Sequence, residues 1–342
     1  IRMNIKEETR LIGPEGRPLF GIRNSPVESF NLSDFRIYGT DKKEGLLKNF
    51  ITGFRIKRWQ YLGVCNDEVI FGAAIVNLGY MTNMFTYIFD RREGRIKQME
   101  AILPSGKAGL FTGSSRNGSA SFKNRNASLD FTNQPESIHA KISAGGKLEA
   151  ELNFFKSAEP LCCTTRVGLG GFNYTHKEAG IPAGGFISLD GKRWEICEKE
   201  SSGVIDYTLG YLARNTFWNW ASGGGFDVFG NRVGFNLVQG VNETGFTENV
   251  FWINGRMIKT DVVDFMYSDL DLLKPWKIRS NDGKVNLLFY PEGERAADIN
   301  IGLIASRFHQ PFGRFEGRLT DGKESWQLKN GAGFTEEHYA KW

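Results

Sequence analysis

The side chains best suited to chemistry lie close together in the sequence, between Asp206 and Asn249. Trp218 and Trp220 alternate along a strand-like run, so both indoles point to one face of a strand. Apolar walls that exclude water, with a few polar groups that fix the pose, are typical of a small-molecule site. We therefore predict a pocket whose substrate-binding residues are Trp218, Trp220, Asn236, Asn242, Asn249 and Tyr207. A tryptophan-rich core with a polar turn at 242–247 is the alternative interpretation.

Asp206 is the first candidate for a catalytic acid. It lies within a strand, and it alternates with Thr208 and Gly210 on a face without bulky side chains, which leaves room for a ligand. A buried carboxyl can stay protonated at neutral pH and donate its proton.

Three further residues are candidates for proton transfer. Glu243 and Glu248 could act as an acid and a base, as carboxylate pairs do in glycosidases, or could both be solvated at a hairpin tip. His309 follows a strongly apolar strand and could shuttle a proton near neutral pH, although a structurally bonded histidine is the alternative.

Several other chemistries find no support in the sequence. The glycine runs 223–225 and 168–171 match no phosphate-binding loop and open no helix, so they are interpreted as loop or bulge glycines. No two of the four histidines have a zinc-ligand spacing, and no Gly-x-Ser-x-Gly motif is present. We predict neither a metal ion nor a cofactor.

Composition indicates a globular chain of two domains. The protein has 342 residues, of which 40% are hydrophobic and 13% aromatic. The net charge of +4 is too small to indicate nucleic-acid binding. Basic stretches at 42–58 and 91–97 are interrupted, and indicate solvated strand ends or a weak membrane-surface contact. Four cysteines without a C-x-x-C motif favour a reducing, cytoplasmic location, and no apolar run is long enough to span a membrane.

Asx-Gly pairs predict a chain of hairpins, because type I′ turns need positive φ at both central residues. They occur at 117–118, 190–191, 254–255, 282–283, 321–322 and 330–331. Helical patterns are confined to short candidates at 42–50 and 336–342, which argues against βαβ units. The sequence predicts an all-β protein of two antiparallel barrels or sandwiches. We place the division between residues 1–158 and 159–342, with the candidate site in the second half.

The same residues resemble a bacterial and fungal family known as domain of unknown function 2804. The resemblance rests on 30–35, 206–210, 218–221, 234–237, 240–242, 248–249, 312–317 and 333–342, and it covers nearly the whole chain. The family is distantly similar to paired lipocalin-like proteins, the group of carotenoid hydratases and tocopherol cyclases. The resemblance implies two lipocalin-like barrels and action on a long apolar molecule without a metal ion.

Three functions are therefore considered. The first is a metal-independent enzyme that binds an apolar or amphipathic small molecule and acts by acid–base chemistry, as a hydratase, cyclase or isomerase. The second is a non-catalytic carrier of lipid or pigment, which needs no acid in its wall. The third is a carbohydrate-active protein, which an open groove with exposed tryptophans would favour. Titratable groups in a closed cavity would favour the enzyme.

Overall fold

The computed structural model describes residues 9–37, 54–104, 109–241, 244–300 and 304–342. Within these ranges the chain forms 24 strands and one short 3₁₀ helix, Leu32–Asp34. The protein is therefore all-β, as predicted. No helix in the described ranges is long and apolar enough to cross a membrane.

The strands follow one another in this order: β1 Gly21–Arg23, β2 Ile56–Cys65, β3 Val69–Asn77, β4 Thr82–Asp90, β5 Arg95–Leu103, β6 Gly109–Gly113, β7 Gly118–Lys123, β8 Ala127–Asn133, β9 Ser137–Ala144, β10 Leu148–Phe155, β11 Leu161–Val167 and β12 Gly171–Ile181. The remaining strands are β13 Ala183–Leu189, β14 Lys192–Ile196, β15 Ser202–Tyr211, β16 Asn215–Phe226, β17 Arg232–Gln239, β18 Val250–Ile253, β19 Arg256–Lys259, β20 Val263–Met266, β21 Trp276–Ser280, β22 Val285–Asn300, β23 Ala305–Thr320 and β24 Ser325–Lys341.

Three antiparallel sheets are stacked as layers. An eight-stranded sheet has the order β1-β11-β12-β15-β2-β3-β4-β5, and a seven-stranded sheet has the order β14-β13-β10-β9-β8-β7-β6. The third sheet has nine strands, β19-β18-β17-β16-β24-β23-β22-β21-β20. The sheet curls back on itself so that its last strand β20 reaches β17, where the backbone N–H of Phe265 donates to Gln239 Oε1 at 3.2 Å.

The burial of each strand shows its position in this stack. In β10 the buried residues alternate with more exposed ones, which is the period of a strand with one face in the core. In β12 and β15 every residue is buried, because the eight-stranded sheet is covered on both faces. The seven-stranded sheet covers one face around Phe122 and Phe154, and the nine-stranded sheet covers part of the other around Trp220 and Phe334. The fold is thus a pair of lipocalin-like β halves.

Glycines bring the two halves into backbone contact. Gly180 on β12 has a φ of +71°, and an added Cβ there would lie 2.6 Å from Gly234 Cα on β17. A Cβ on Gly234 would lie 2.0 Å from the carbonyl oxygen of Ala179. No larger side chain fits at either position without moving a strand, so these glycines set the distance between β12 and β17.

The predicted division at 158/159 falls between β10 and β11. Strands on both sides of it share sheets, since β10 pairs with β13 and β2 pairs with β15. The chain changes to the nine-stranded sheet between Tyr211 and Asn215. The division at 158/159 stays a prediction, and we propose that 212–214 is the better boundary because strand pairing respects it.

Most of the Asx-Gly pairs lie at turns, with one exception. Both residues of 190–191 and of 254–255 have positive φ, in the tight turns between β13 and β14 and between β18 and β19. The prediction of a hairpin at Asn330 is wrong, because this residue lies inside β24, where the pairing register with β23 shifts between Phe315 and Gly317.

Two local predictions near the candidate site are also wrong. The helix predicted at 336–342 is the end of β24, which pairs with β16 on one edge and β23 on the other. Pairing on both edges satisfies its backbone groups and outweighs its weak helical pattern. The glycines Gly223–Gly225 lie in regular register within β16 instead of in a loop or bulge, and the backbones of β24 and β17 approach them closely. The helix candidate at 42–50 lies outside the described residues.

Candidate functional site

A cavity of about 520 Å³ lies between the eight-stranded and nine-stranded sheets. This volume is within the range of about 300–1,000 Å³ that small-molecule sites occupy. Its walls are largely apolar and include the aromatic side chains Trp59, Tyr61, Tyr80, Phe85, Trp218, Trp220, Phe308 and Trp342. Titratable side chains also reach it: Glu100, Lys177, Asp206, Glu248, Arg295, Glu336 and His338. The cavity therefore combines apolar walls with groups that can carry charge or protons.

Two other depressions lie on the nine-stranded sheet alone. One is lined by residues such as Lys277 and Lys329, and the other by residues such as Arg256 and Asp321. Both have few apolar residues in their walls, so they do not exclude water as the cavity between the sheets does. We take that cavity as the candidate site.

Trp218 and Trp220 share one face of β16, as predicted from their spacing, and both line the cavity. The ring of Trp218 stacks on Trp59 of β2 at 6.3 Å with an interplanar angle of 6°. The ring of Trp220 meets Tyr61 edge-on at 5.8 Å. Each indole thus contacts the opposite sheet, and together they form a wall that holds the two halves at a fixed separation.

Lys177 links two carboxylates in the cavity wall. Its Nζ lies 3.2 Å from Asp206 Oδ2, on the neighbouring strand, and 3.0 Å from Glu248 Oε2, in the segment before β18. Burial disfavours the ammonium, but the two carboxylates outweigh it and raise the pKa of Lys177 above its ordinary value. Lys177 is therefore charged, and this network of three groups carries one excess negative charge.

Asp206 lines the cavity within this network. It is 8% exposed, and Thr208 Oγ1 donates to its Oδ1 at 3.2 Å. Both oxygens of Asp206 are therefore occupied, one by the ammonium and one by the hydroxyl. The sequence-based prediction of Asp206 as a catalytic acid assumed that its carboxyl is buried without a charged partner, and its surroundings in the structure differ from that. The same holds for Glu248, which is 2% exposed and paired with the ammonium.

Glu336 on β24 has the properties that were expected of Asp206. Trp218 Nε1 donates to its Oε2 at 3.0 Å, and Gln310 Nε2 donates to its Oε1 at 2.7 Å. The side chain is partly accessible because it faces the cavity. Burial raises the pKa of Glu336 to about 7, and the negative charge of Asp206 adds to this effect against the two hydrogen bonds and Lys177. Glu336 can therefore exist in both protonation states near neutral pH.

His338 lies two residues further along the same face of β24. Its ring packs against Trp218 at 4.2 Å between centroids, and its Nε2 lies 3.0 Å from Ser306 Oγ. Burial lowers the pKa of His338 to about 3, and Arg295 contributes to the shift. Among the described residues, its buried Nδ1 has no hydrogen-bond partner. His338 is therefore a neutral imidazole with one ring nitrogen available.

Four predicted site residues lie away from the cavity lining. Asn236 accepts a hydrogen bond from Trp220 Nε1 at 2.8 Å, and Asn249 Oδ1 accepts one from the backbone N–H of Val238 at 2.7 Å. Both are buried and position the indole and the strand beside the site. Tyr207 lies on the opposite face of β15, where it stacks on Phe30 at 5.7 Å.

His309 is half-buried, and its Nδ1 lies 3.3 Å from Glu294 Oε2. It adjoins the cavity residue Phe308 along β23 but does not line the cavity itself. Asn242 and Glu243 lie outside the described residues. The predicted set therefore divides, with Asp206, Glu248, Trp218 and Trp220 at the cavity and the other described residues behind its walls.

Sequence reasoning missed Glu336, His338 and Arg295. The signal for two of them was the alternation of Phe334, Glu336 and His338, which places the three on one face of a strand. It was overlooked because 336–342 was interpreted as helical. In the described ranges no group of three or more His, Cys, Asp or Glu side chains could hold a metal ion.

The family model of a domain of unknown function, DUF2804, matches residues 2–342. The chain belongs to the DUF2804 family. No curated protein sequence matches this DUF2804 chain. Among solved structures, it is similar to CghA, with a TM-score of 0.53 and 10% identity over 82% of this chain and 87% of that one.

Two further structures resemble the DUF2804 chain. A candidate AttH from Nitrosomonas europaea aligns with a TM-score of 0.52 and 15% identity, over 87% of this chain and 97% of that one. Kievitone hydratase from Nectria haematococca aligns with a TM-score of 0.49 and 12% identity, over 82% and 88%. Likeness at these identities extends to the fold and not to the reaction.

Proposed function

We propose that this protein is an enzyme that binds an apolar or amphipathic small molecule in the cavity between the sheets and transforms it by acid–base chemistry. Glu336 is the general acid. The reaction class is hydration, cyclisation or isomerisation, and it needs no metal ion. The observation that carries this proposal is a carboxyl group enclosed by aromatic side chains, with its pKa raised to about 7.

The proposed first step is transfer of the Glu336 proton to a carbon of a substrate double bond. The two π electrons form the new C–H bond, and the neighbouring carbon becomes electron-deficient. Aromatic faces attract cations, and Trp218 and Trp220 provide such faces at the cavity wall. The excess negative charge of the Lys177 network also favours a cation in the cavity. This electrostatic role is the one we assign to Asp206 and Glu248.

The fate of the cation sets the reaction type. Addition of water and loss of its extra proton gives a hydrated product, and loss of a proton from a neighbouring carbon moves the double bond. Attack by a second double bond closes a ring and moves the positive charge to another carbon, which becomes neutral when a neighbouring carbon loses its proton. In each case one proton returns to the Glu336 carboxylate. His338 supports the first route, because a neutral imidazole with a free ring nitrogen can bind and orient a water molecule.

A carrier or a sugar-binding role has less support. A carrier needs only apolar walls, whereas four acidic side chains, two basic side chains and one histidine line this cavity. A sugar-binding groove would expose its indoles, whereas Trp220 is 3% exposed and stacks on Phe334. The composition of the wall therefore favours catalysis.

The test is deuterium uptake. Purified protein is incubated in D₂O with a panel of polyenes and alkenyl phenols, and the products are analysed by mass spectrometry. Transfer of a deuteron from Glu336 to carbon labels the product of all three reaction types. We expect label with the wild type and at least about a 100-fold loss of the labelling rate in Glu336→Gln, the size typical of a removed general acid.

A matched control is Glu316→Gln, because Glu316 lies on the neighbouring strand β23 but accepts its hydrogen bonds from Tyr290 and Arg314 outside the cavity. This variant should label product at the wild-type rate. Labelling that survives in Glu336→Gln would contradict the proposal, and a loss confined to Asp206→Asn would return the acid role to Asp206. Label with none of the panel but tight binding of its members would favour a carrier.

A further inference from the structure

Arg295 on β22 is a buried cation in the cavity wall with few acceptors. The residue is 4% exposed, and its guanidinium packs against the rings of Phe85 and Phe308, at 3.9 and 4.8 Å from their centroids. Among the described residues its one carboxylate contact is Glu100, whose Oε2 lies 3.5 Å from Nη2. The other oxygen of Glu100 accepts from Asn83 Nδ2 at 2.5 Å.

A guanidinium has five N–H donors in a planar fork and keeps its charge even when buried. A single contact at 3.5 Å is long for a charge-assisted hydrogen bond, which normally measures about 2.7–2.9 Å. The two phenylalanine rings offer no oxygen or nitrogen acceptor, so most of the N–H donors of Arg295 still need a partner. Because Arg295 lines the cavity, a ligand inside the cavity can supply the missing acceptors.

The position of Arg295 relates it to the proposed acid. Arg295 is the cross-strand partner of Gln310 on β23, and Gln310 in turn holds Glu336 on β24. Neighbouring strands are about 4.8 Å apart, so the guanidinium lies on the order of 10 Å from the acid across the sheet. A small molecule that fills the cavity can reach both groups.

The electrostatic charge differs between the two sides of the cavity. The Lys177 network, with its excess negative charge, lies beyond Trp220, whereas the one ion pair that Arg295 forms within the described ranges is with Glu100. An anionic group is therefore favoured near Arg295 and disfavoured near Asp206 and Glu248. A planar carboxylate matches the fork of a guanidinium better than a single hydroxyl does.

We propose that Arg295 binds the carboxylate of an otherwise apolar substrate and thereby places its double bond beside Glu336. This inference rests on the proposed function and names its substrate class, an unsaturated carboxylic acid. Glu100 then competes with the substrate carboxylate for the same guanidinium. Arg295 is the binding residue that selects the acid over its uncharged analogues.

Equilibrium binding tests this assignment without turnover. The probes are a fluorescent long-chain polyenoic acid and its methyl ester, which share the apolar chain and differ in charge. We expect the wild type to bind the acid at least about tenfold more tightly than the ester, since a hydrogen-bonded charge pair contributes that much or more. The preference should vanish in Arg295→Met, whose side chain keeps the apolar stem, and return in part in Arg295→Lys.

Two further variants keep the test sharp. Glu100→Gln removes the competing carboxylate and should strengthen binding of the acid while leaving that of the ester unchanged. Arg314→Met is the matched control, because Arg314 also lies over an aromatic ring, Tyr290, but outside the cavity. A cooperative thermal unfolding transition shows that a variant is folded. If Arg295→Met does not fold, the change in affinity for the acid in Glu100→Gln still tests the role of Arg295.

Equal affinity for acid and ester, or a preference that survives in Arg295→Met, would overturn the role of Arg295. That result would leave the proposed acid–base function intact, because deuterium uptake depends on Glu336 and not on the binding of a carboxylate by Arg295. Loss of label in Glu336→Gln with an intact acid preference would support both. A preference for the acid over the ester without deuterium uptake would support the binding role of Arg295 and contradict the proposed acid–base function.

Discussion

Trp218 Nε1 donates a hydrogen bond to Glu336 Oε2 at 3.0 Å, across the junction of β16 and β24. The indole that forms the wall of the cavity thus also stabilises the ionised form of the proposed acid. Burial raises the pKa of Glu336, and this hydrogen bond works in the opposite direction. The balance between the two holds the carboxyl near neutrality, where a general acid can both lose and regain its proton.

Replacing Trp218 by Phe should raise the pKa of Glu336 above its value of about 7. The variant keeps an aromatic wall but removes the N–H donor, so the ionised carboxylate loses a stabilising contact. The measurement is an NMR titration of the glutamate carboxyl carbons, with Glu336→Gln used to assign the resonance. An unchanged or lowered pKa would mean that the hydrogen bond has no influence on the proton of Glu336. The pH limit of deuterium uptake should move upward together with the pKa.

Glu336 should make folding stability fall as the pH rises. Its pKa in the folded protein is about 7, compared with 4.5 for an unperturbed glutamate. The folded state therefore binds this proton more tightly than the unfolded chain. Between pH 4.5 and 7, the free energy of unfolding of the wild type should fall by about 2–3 kcal/mol relative to that of Glu336→Gln, and it should fall little more above that range.

Urea unfolding of both proteins at a series of pH values measures this difference. Taking the difference removes the contributions of groups that both proteins share, such as His338. A gap between the two proteins that stays constant across this range would show that burial does not hold the proton on Glu336. The Glu316→Gln protein serves as the control, and its stability should follow that of the wild type.

Removal of the ammonium in Lys177→Met should destabilise the fold by about 3–5 kcal/mol, because two buried carboxylates then lack their cation. The triple variant K177M/D206N/E248Q removes all three charges and should recover much of that loss. Lys141→Met is the control, since Lys141 is 64% exposed in its side chain and 3.9 Å from Glu151, and it should cost less than about 1 kcal/mol.

Chemical denaturation of the four proteins gives the comparison. A triple variant as unstable as Lys177→Met would mean that packing around Lys177, and not its charge, accounts for the loss. A recovered triple variant that binds the polyenoic acid more tightly than the wild type would also support the charge separation between Arg295 and the network, because the excess negative charge has been removed.

Local features of the chain were predictable because their causes are local. Positive φ at Asx-Gly pairs produced the turns at 190–191 and 254–255, and a period of two put Trp218 and Trp220 on one face of β16. The absence of long helical periodicity indicated the all-β class. Each of these inferences needs only the backbone preferences of a few neighbouring residues.

The tertiary structure decided which polar groups share the cavity and in what protonation state. Lys177 lies between Asp206 and Glu248 only because β12, β15 and the segment before β18 converge. Burial between two sheets raises the pKa of Glu336 to about 7, so it can hold its proton near neutral pH. The pKa of a carboxyl depends on the groups that surround it in space, so no spacing along the chain could assign the acid.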